Sequence, residues 1–231
     1  MKTLLHCTAY AKTADEWLAK HSRWIQGAEM GPLKFDTILI PDDGSPEIPE
    51  MDGVEIINEG ALTDVEPTSK KIVYRFPDNL GRQDLFVYPG WYRSFMFAAV
   101  YAKKYGFEKV IHVEADAYII SQNLGNYFNN FKHGWEALYC PKWGIAETGI
   151  QIISGRYLQS FVDLTSMPYE AVAGHPADPR PHQGASWLPY TMNRSFMGDR
   201  WSEYPRDVPV QADYACQVPT DYDKCWWLEN K

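Results

Sequence analysis

Short apolar runs of strand length alternate with segments of helical period along most of this chain. Residues 2–9, Lys-Thr-Leu-Leu-His-Cys-Thr-Ala, read as a first strand. Over 13–27, Trp17, Leu18, Trp24 and Ile25 recur at helical spacing behind Thr13, a good N-cap residue. Residues 35–40, Phe-Asp-Thr-Ile-Leu-Ile, read as a second strand. Strand, helix, strand in that order favours a parallel pair with a right-handed crossover. Residues 54–58 suggest a third strand, and 71–76 a further strand or an excursion. Over 91–105, Trp91, Phe95, Ala98, Ala99 and Ala102 share one helical face, and Lys103 and Lys104 complement the dipole of its last turn. Val110, Ile111 and Val113 form a short buried strand, with a second apolar pair at Ile119 and Ile120. A short helix over 123–131, strands over 135–140 and 148–154 and a helix over 155–164 follow. A Pro-rich loop spans 174–184, and a helical run is expected from Gly184 through Met192. Residues 198–231 show little regular pattern. The alternation predicts an α/β fold with a central, mostly parallel sheet flanked by helices.

At 231 residues the chain suits one α/β domain, here 1–196, with a C-terminal extension over 197–231 packed on it. The net charge of −8 argues against nucleic acid as the main partner, because a phosphate backbone demands a basic footprint. A nucleotide remains compatible, since a metal and one Arg suffice for a diphosphate. The four cysteines, Cys7, Cys140, Cys216 and Cys225, contain no Cys-x-x-Cys spacing, so a zinc ribbon or a thioredoxin-type site is unsupported. Cys7 and Cys140 read as buried thiols; Cys216 and Cys225 could pair, but nothing requires it. The N-terminal apolar run is too short for a secretory signal, and no segment has the apolar length of a membrane span. The expectation is a cytoplasmic protein without a membrane span.

The candidate chemistry centres on Glu114 and Asp116, separated by Ala115 and bracketed by apolar residues. If strand parity persists, both carboxylates project to one side at the strand's C-terminal end. Two acids in an apolar segment are costly to bury without a cation. Mn²⁺ or Mg²⁺ fits, because these hard ions take carboxylate oxygens and share their remaining positions with water and phosphate. The competing reading is a solvated strand end, which such triplets commonly form. His175 and His182 are the loop histidines able to add a ligand, and His182 is the candidate retained; His112, deeper in the strand, reads as a core histidine bonded to backbone.

Arg93, the helix after it, the Gly106-Phe107 turn and the strand ending in Glu114-Ala-Asp116 together resemble the core of GT-A-fold glycosyltransferases. That family carries Asp-x-Asp at this point; Glu114 replaces the first Asp. The resemblance covers about 1–196 and implies a Rossmann-like GT-A fold. It also implies a donor side comprising Thr8, Tyr10, Asp42, Arg93 and Ala115, with Tyr10 near the donor base. Asp42-Asp-Gly-Ser45 resembles the end of the family's second strand, although the same tetrapeptide is ordinary turn chemistry. Arg93 sits in a first helical turn, where a cation is disfavoured, so it needs a specific partner: a donor, or an acid such as Asp84. Gln183, after His182, matches the Asp-Gln of retaining families in its second residue only.

The implied function is transfer of a sugar from a UDP- or GDP-type nucleotide sugar to a hydroxyl of a carbohydrate or glycoconjugate acceptor. The metal at Glu114, Asp116 and His182 would stabilise the leaving diphosphate. Glu147 and Asp199 are the candidate bases of an inverting reaction, and Gln183 the candidate beneath the anomeric carbon of a retaining one. Two other classes stay open. A nucleotidyltransferase shares the sheet and metal chemistry but usually has a glycine-rich loop after strand one, where this chain has Thr8-Ala-Tyr-Ala-Lys12. A non-catalytic sugar-binding relative is compatible with the aromatic content and with Glu in place of Asp.

Overall fold

The computed structural model describes residues 1–82, 88–167, 190–201, 208–209 and 211–217. Strand β1 (Thr3–His6) leads into α1 (Ala14–Met30), whose cap Thr13 accepts a hydrogen bond from the Glu16 backbone N–H. Strands β2 (Thr37–Asp42), β3 (Val54–Asn58) and β4 (Lys71–Arg75) follow. Residues 71–76 therefore form a strand proper. Helix α2 (Pro89–Tyr105) starts on a proline that needs no N–H there, and it ends at Gly106, whose φ of 69° is left-handed. Then come β5 (Lys109–Val113), β6 (Tyr118–Ile119), α3 (Gln122–Asn130), β7 (Gly134–Cys140), β8 (Ile145–Ser154) and α4 (Arg156–Leu164).

Eight strands form the main sheet in the order β3-β4-β2-β1-β5-β8-β7-β9, where β9 is Thr191–Asn193. Every neighbouring pair is parallel except those made by β8, which runs against both β5 and β7. The central strands are apolar in unbroken runs because both faces of the sheet are covered. Leu4, Leu39 and Val110 pack under α2 and α4 with Phe95 and Phe161. Leu5, Ile38, Ile40 and Ile111 pack under α1 and α3 with Trp17, Trp24 and Phe128. Alternate residues of one strand thus feed two cores.

Two expectations fail. The described end of the run expected to be helical, Gly184 through Met192, includes Thr191 and Met192, which lie in β9, bonded in parallel to the edge of β7. Pairing to an open sheet edge there wins over local period. The segment after 197 also carries structure: β10 (Gly198–Arg200) and β11 (Tyr214–Cys216) form a second sheet with β6. Ser121 accepts the α3 cap bond from Leu124 and donates its hydroxyl to Asp213, and the Asp213 carbonyl accepts from Ile120 at 2.8 Å. Periodicity cannot reveal three-residue strands whose partners lie far away in sequence.

Lys109 shows how the sheet holds α3. It is buried, and its ammonium donates at 2.8 Å to the carbonyls of Phe128 and Asn129, which end the helix. Lys109→Met keeps the stem and leaves both carbonyls unmet. It is expected to lower unfolding stability by about 1–3 kcal/mol, read from urea denaturation; an unchanged midpoint would refute this tie.

Candidate active site

The C-terminal ends of β1 and β2 meet at a bridge between Ala9 and Asp42. Ligands of open α/β sheets collect at such strand ends. Here a cleft of about 190 Å³, open to solvent, is lined by Thr8, Tyr10, Asp43, Arg82 and Trp91 among others. The first turn of α2 contributes Gly90 and Trp91, so the positive end of that helix dipole faces the cleft and favours an anion. Tyr10 is 39% exposed there. Arg82 lies 4.7 Å over the Tyr88 ring.

The two acids of the β2 turn have separate duties. Asp42 is fully buried and accepts from Trp17 Nε1 at 2.9 Å, from the Ser45 N–H at 2.7 Å and from the Ser45 hydroxyl at 2.7 Å. Burial pushes its carboxyl above the usual range despite those bonds. It ties β2 to α1 and faces away from solvent. Asp43 lines the cleft and accepts from Asn79 Nδ2 and the Gly81 N–H, both at 2.9 Å, and from Arg93. Arg93 also donates to the Asp78 carbonyl and lies 4.2 Å over Phe76. Because α2 begins at Pro89, Arg93 is its fifth residue and lies just past the first turn expected for it; its specific partner is Asp43, and Asp84 lies outside the described residues.

The acid triplet departs from simple strand geometry. β5 ends at Val113, and a hydrogen bond from the Ala117 N–H to the Glu114 carbonyl at 2.9 Å closes a turn. Strand parity therefore stops before Asp116, and the expectation that it aligns both carboxylates is withdrawn. Glu114 still keeps the α2 side with His112. Its Oε1 accepts from Trp91 Nε1 and faces His112 Nε2 at 3.0 Å, while Oε2 accepts from the Thr8 hydroxyl at 2.9 Å. Facing a carboxylate, His112 Nε2 takes the donor role. Burial pushes the Glu114 carboxyl up, but the His112 charge and the bonds from His112, Trp91 and Thr8 outweigh it and hold its pKa below the usual range.

Asp116 is the opposite case. Among the described residues no side chain donates a hydrogen bond to it. Burial, then the charge of Glu114, pushes its pKa up to about 6, against an opposing pull from Lys20. Ala115, buried, separates the two acids.

The candidate bases are engaged. Glu147, 1% exposed, takes a bidentate pair from Arg200 at 2.6 and 2.9 Å, and the Gly149 N–H donates to it at 3.0 Å. Gly149 packs closely against both acids: a Cβ there would lie 3.0 Å from Glu147 Oε1 and 3.2 Å from Glu114 Cγ, so those side chains would have to give by a few tenths of an ångström. Asp199 accepts from Cys140 Sγ at 3.0 Å and from the backbone of Lys142 and Arg200 at 2.9 and 2.8 Å. His175, His182, Gln183 and Cys225 lie outside the described residues. Cys7, Cys140 and Cys216 are buried free thiols.

Sequence reasoning singled out neither Trp91 nor Asp43 as a site residue. Trp91 was legible only as part of an apolar helix face, and Asp43 only as the second acid of a turn. Nothing local distinguishes the indole N–H that reaches Glu114.

Among the described residues no three His, Cys, Asp or Glu are grouped to hold a metal. A Mg²⁺-type site does not require that, since such ions keep waters and phosphate oxygens beside one or two carboxylates. An under-partnered carboxylate with a raised pKa suits the role, so Asp116 fits as a cation ligand. Glu114, with both oxygens occupied, fits less well.

No protein-family model matches the chain. No curated protein matches it in sequence. Among solved structures, a glycosyltransferase involved in the glycosylation of the major capsid of PBCV-1 aligns over 100% of this chain and 98% of its own, with a TM-score of 0.52 at 11% identity. Mouse xyloside xylosyltransferase 1 in its apo form aligns over 94% of this chain and 98% of its own at 10% identity, but a TM-score of 0.42 adds no argument. The first likeness speaks to fold alone. The class defined is a mixed α/β fold of GT-A-like, Rossmann type, with a mostly parallel central sheet flanked by helices. Among the described residues no helix is long and apolar enough to cross a membrane.

Asp116 has a stability signature in cation-free solution. Its native pKa, about 6, exceeds the ordinary 3.8, so the native protein binds this proton more readily than the unfolded chain. That contribution is present below the lower value and is lost as pH rises through the higher one. Between about pH 4 and 6 the wild type should lose stability relative to Asp116→Asn; parallel urea-unfolding stabilities across that window would contradict the assignment.

Proposed function

We propose that this protein is a glycosyltransferase that takes a nucleoside-diphosphate sugar of the UDP or GDP type and a divalent cation, Mn²⁺ or Mg²⁺. The observation that carries the reading is an aromatic-walled cleft at the C-terminal ends of the strands, two of whose walls, Thr8 and Trp91, are hydrogen-bonded to Glu114, two residues before the under-partnered carboxylate of Asp116. Tyr10 and Trp91 offer ring faces to a nucleobase or sugar. The α2 N-terminus and Arg82, both lining the cleft, would offer positive potential to a diphosphate. Asp116 would hold the cation, which supplies Lewis-acid stabilisation of the departing diphosphate. Asp43, locked by Arg93, Asn79 and Gly81, keeps the loops on either side of the cleft in register. The acceptor would be a carbohydrate or glycoconjugate hydroxyl. Domain limits of 1–196 and 197–231 and the roles of His182 and Gln183 belong to the same reading.

One observation favours a second reading, a non-catalytic sugar-nucleotide binder on the same fold. Glu147 and Asp199, the candidate bases, both spend their carboxylates on protein partners. Free nucleotide released from UDP- or GDP-sugars would separate an enzyme from a binder.

The binding test is calorimetry with UDP and GDP in the presence of Mn²⁺. The wild type should bind one of them with Mn²⁺-dependent affinity, and Asp116→Ala should abolish that dependence. Unchanged Mn²⁺-dependent binding in the variant would rule out the metal role of Asp116, and no binding by the wild type would rule out the function.

A further inference from the structure

Glu114 holds the place of a metal-binding acid, yet its surroundings are those of an anchor. Three side chains from three elements converge on it: Thr8 from the loop after β1, Trp91 from the first turn of α2, and His112 from β5. Its backbone N–H donates to the Gly149 carbonyl of β8 at 2.8 Å, which fixes where the side chain starts. Two of the three donors, Thr8 and Trp91, are themselves walls of the cleft. Trp91 is further held flat against Phe95, with ring centroids 4.8 Å apart and planes 10° apart. A cation at Oε1 would have to displace Trp91 or His112 and strand it in a half-buried place, and one at Oε2 would have to share that oxygen with the Thr8 hydroxyl. Asp116, two residues on, faces no such competition.

We propose that Glu114 is a positioning residue of the nucleotide cleft and not a ligand of the cation. Its carboxylate draws Thr8 and Trp91 into one wall, so that the nucleoside end of the cleft is formed before either nucleotide or metal arrives. The two acids of one triplet then divide the labour: Glu114 shapes the cleft, and Asp116 supplies the metal dependence. The inference rests on the proposed reading that the cleft takes a nucleoside diphosphate. It adds that nucleotide affinity and metal dependence are separable by mutation.

The test measures UDP and GDP affinity with and without Mn²⁺ for the wild type, Glu114→Gln, Trp91→Phe, Thr8→Val, Thr8→Ser and Asp116→Asn. Glu114→Gln removes the charge that the three donors need. It should weaken binding roughly tenfold, with and without Mn²⁺ alike, leaving the Mn²⁺-induced gain within about twofold of wild type. Trp91→Phe should behave similarly, because it removes the N–H and keeps the ring stack. Asp116→Asn should do the reverse, erasing the Mn²⁺ gain while metal-free affinity is kept. The Thr8 pair separates positioning from space-filling: Ser keeps the hydroxyl and should bind as wild type, whereas Val keeps the shape and should copy Glu114→Gln. Loss of the Mn²⁺ gain in Glu114→Gln, or wild-type affinity in Thr8→Val, would overturn the proposal. If circular dichroism shows Glu114→Gln unfolded, the Thr8 pair decides alone. Failure of the wild type to bind either nucleotide would instead overturn the functional reading beneath it.

Discussion

The candidate site depends on a half-buried carboxylate that takes hydrogen bonds from three directions. Glu114 stands where β5 gives way to a turn, and it gathers the loop after β1, the start of α2 and the body of β5 onto one pair of oxygens. An ionised acid in such a place is tolerated because donors replace the water it has lost. The shape of the cleft follows, since two of those donors are also its walls. His112 continues the chain of contacts inward to the buried ring of His6, 4.5 Å away, and both rings pack against Phe95. Burial, then the nearby His112, holds the His6 pKa well below its usual value, so that ring stays neutral in the core.

The other acids at this edge of the sheet are sorted by the partners they find. Asp42 turns inward to Trp17 and Ser45 and becomes part of the scaffold. Asp43 is matched by Arg93 and two further donors and fastens the cleft's outer loop. Glu147 is matched in bidentate fashion by Arg200, an arrangement whose planar fork satisfies both carboxylate oxygens. Asp199 and Asp213 secure the segment after 197 to the β7–β8 turn and to the start of α3. Against that background Asp116 stands out through what it lacks. Chemical availability at this edge is a matter of unmet hydrogen-bonding capacity more than of residue type.

Residues beyond 197 are tied to this edge as well. β10 and β11 join β6 in a second sheet directly after the acid turn, and Arg200 reaches from β10 to Glu147 on β8. Tyr118, Ile120, Val208, Ala212 and Ala215 form a small apolar cluster that seals this contact. The acid turn is therefore clamped from both ends, by β5 before it and by β6 in the second sheet after it.

The amino-acid sequence by itself determined most of the order of elements from β1 through α4, leaving β4 open between strand and excursion and β6 as no more than an apolar pair. Those segments announce themselves through local period: unbroken apolar runs for strands covered on both faces, helical spacing from Trp17 to Ile25 and from Trp91 to Ala102, and cap residues such as Thr13 and Gly106. It also marked Glu114 and Asp116 as costly acids in an apolar setting. Only the tertiary structure decided what each carboxylate does, because that depends on donors distant in the chain: Thr8 lies 106 residues from Glu114, and Arg200 lies 53 from Glu147. It likewise decided that Asp42 faces inward while its neighbour faces the cleft, and that Thr191–Asn193, Gly198–Arg200 and Tyr214–Cys216 are strands. Period is written into neighbouring residues; hydrogen-bond partnership across a sheet is set by which surfaces the folded chain brings together.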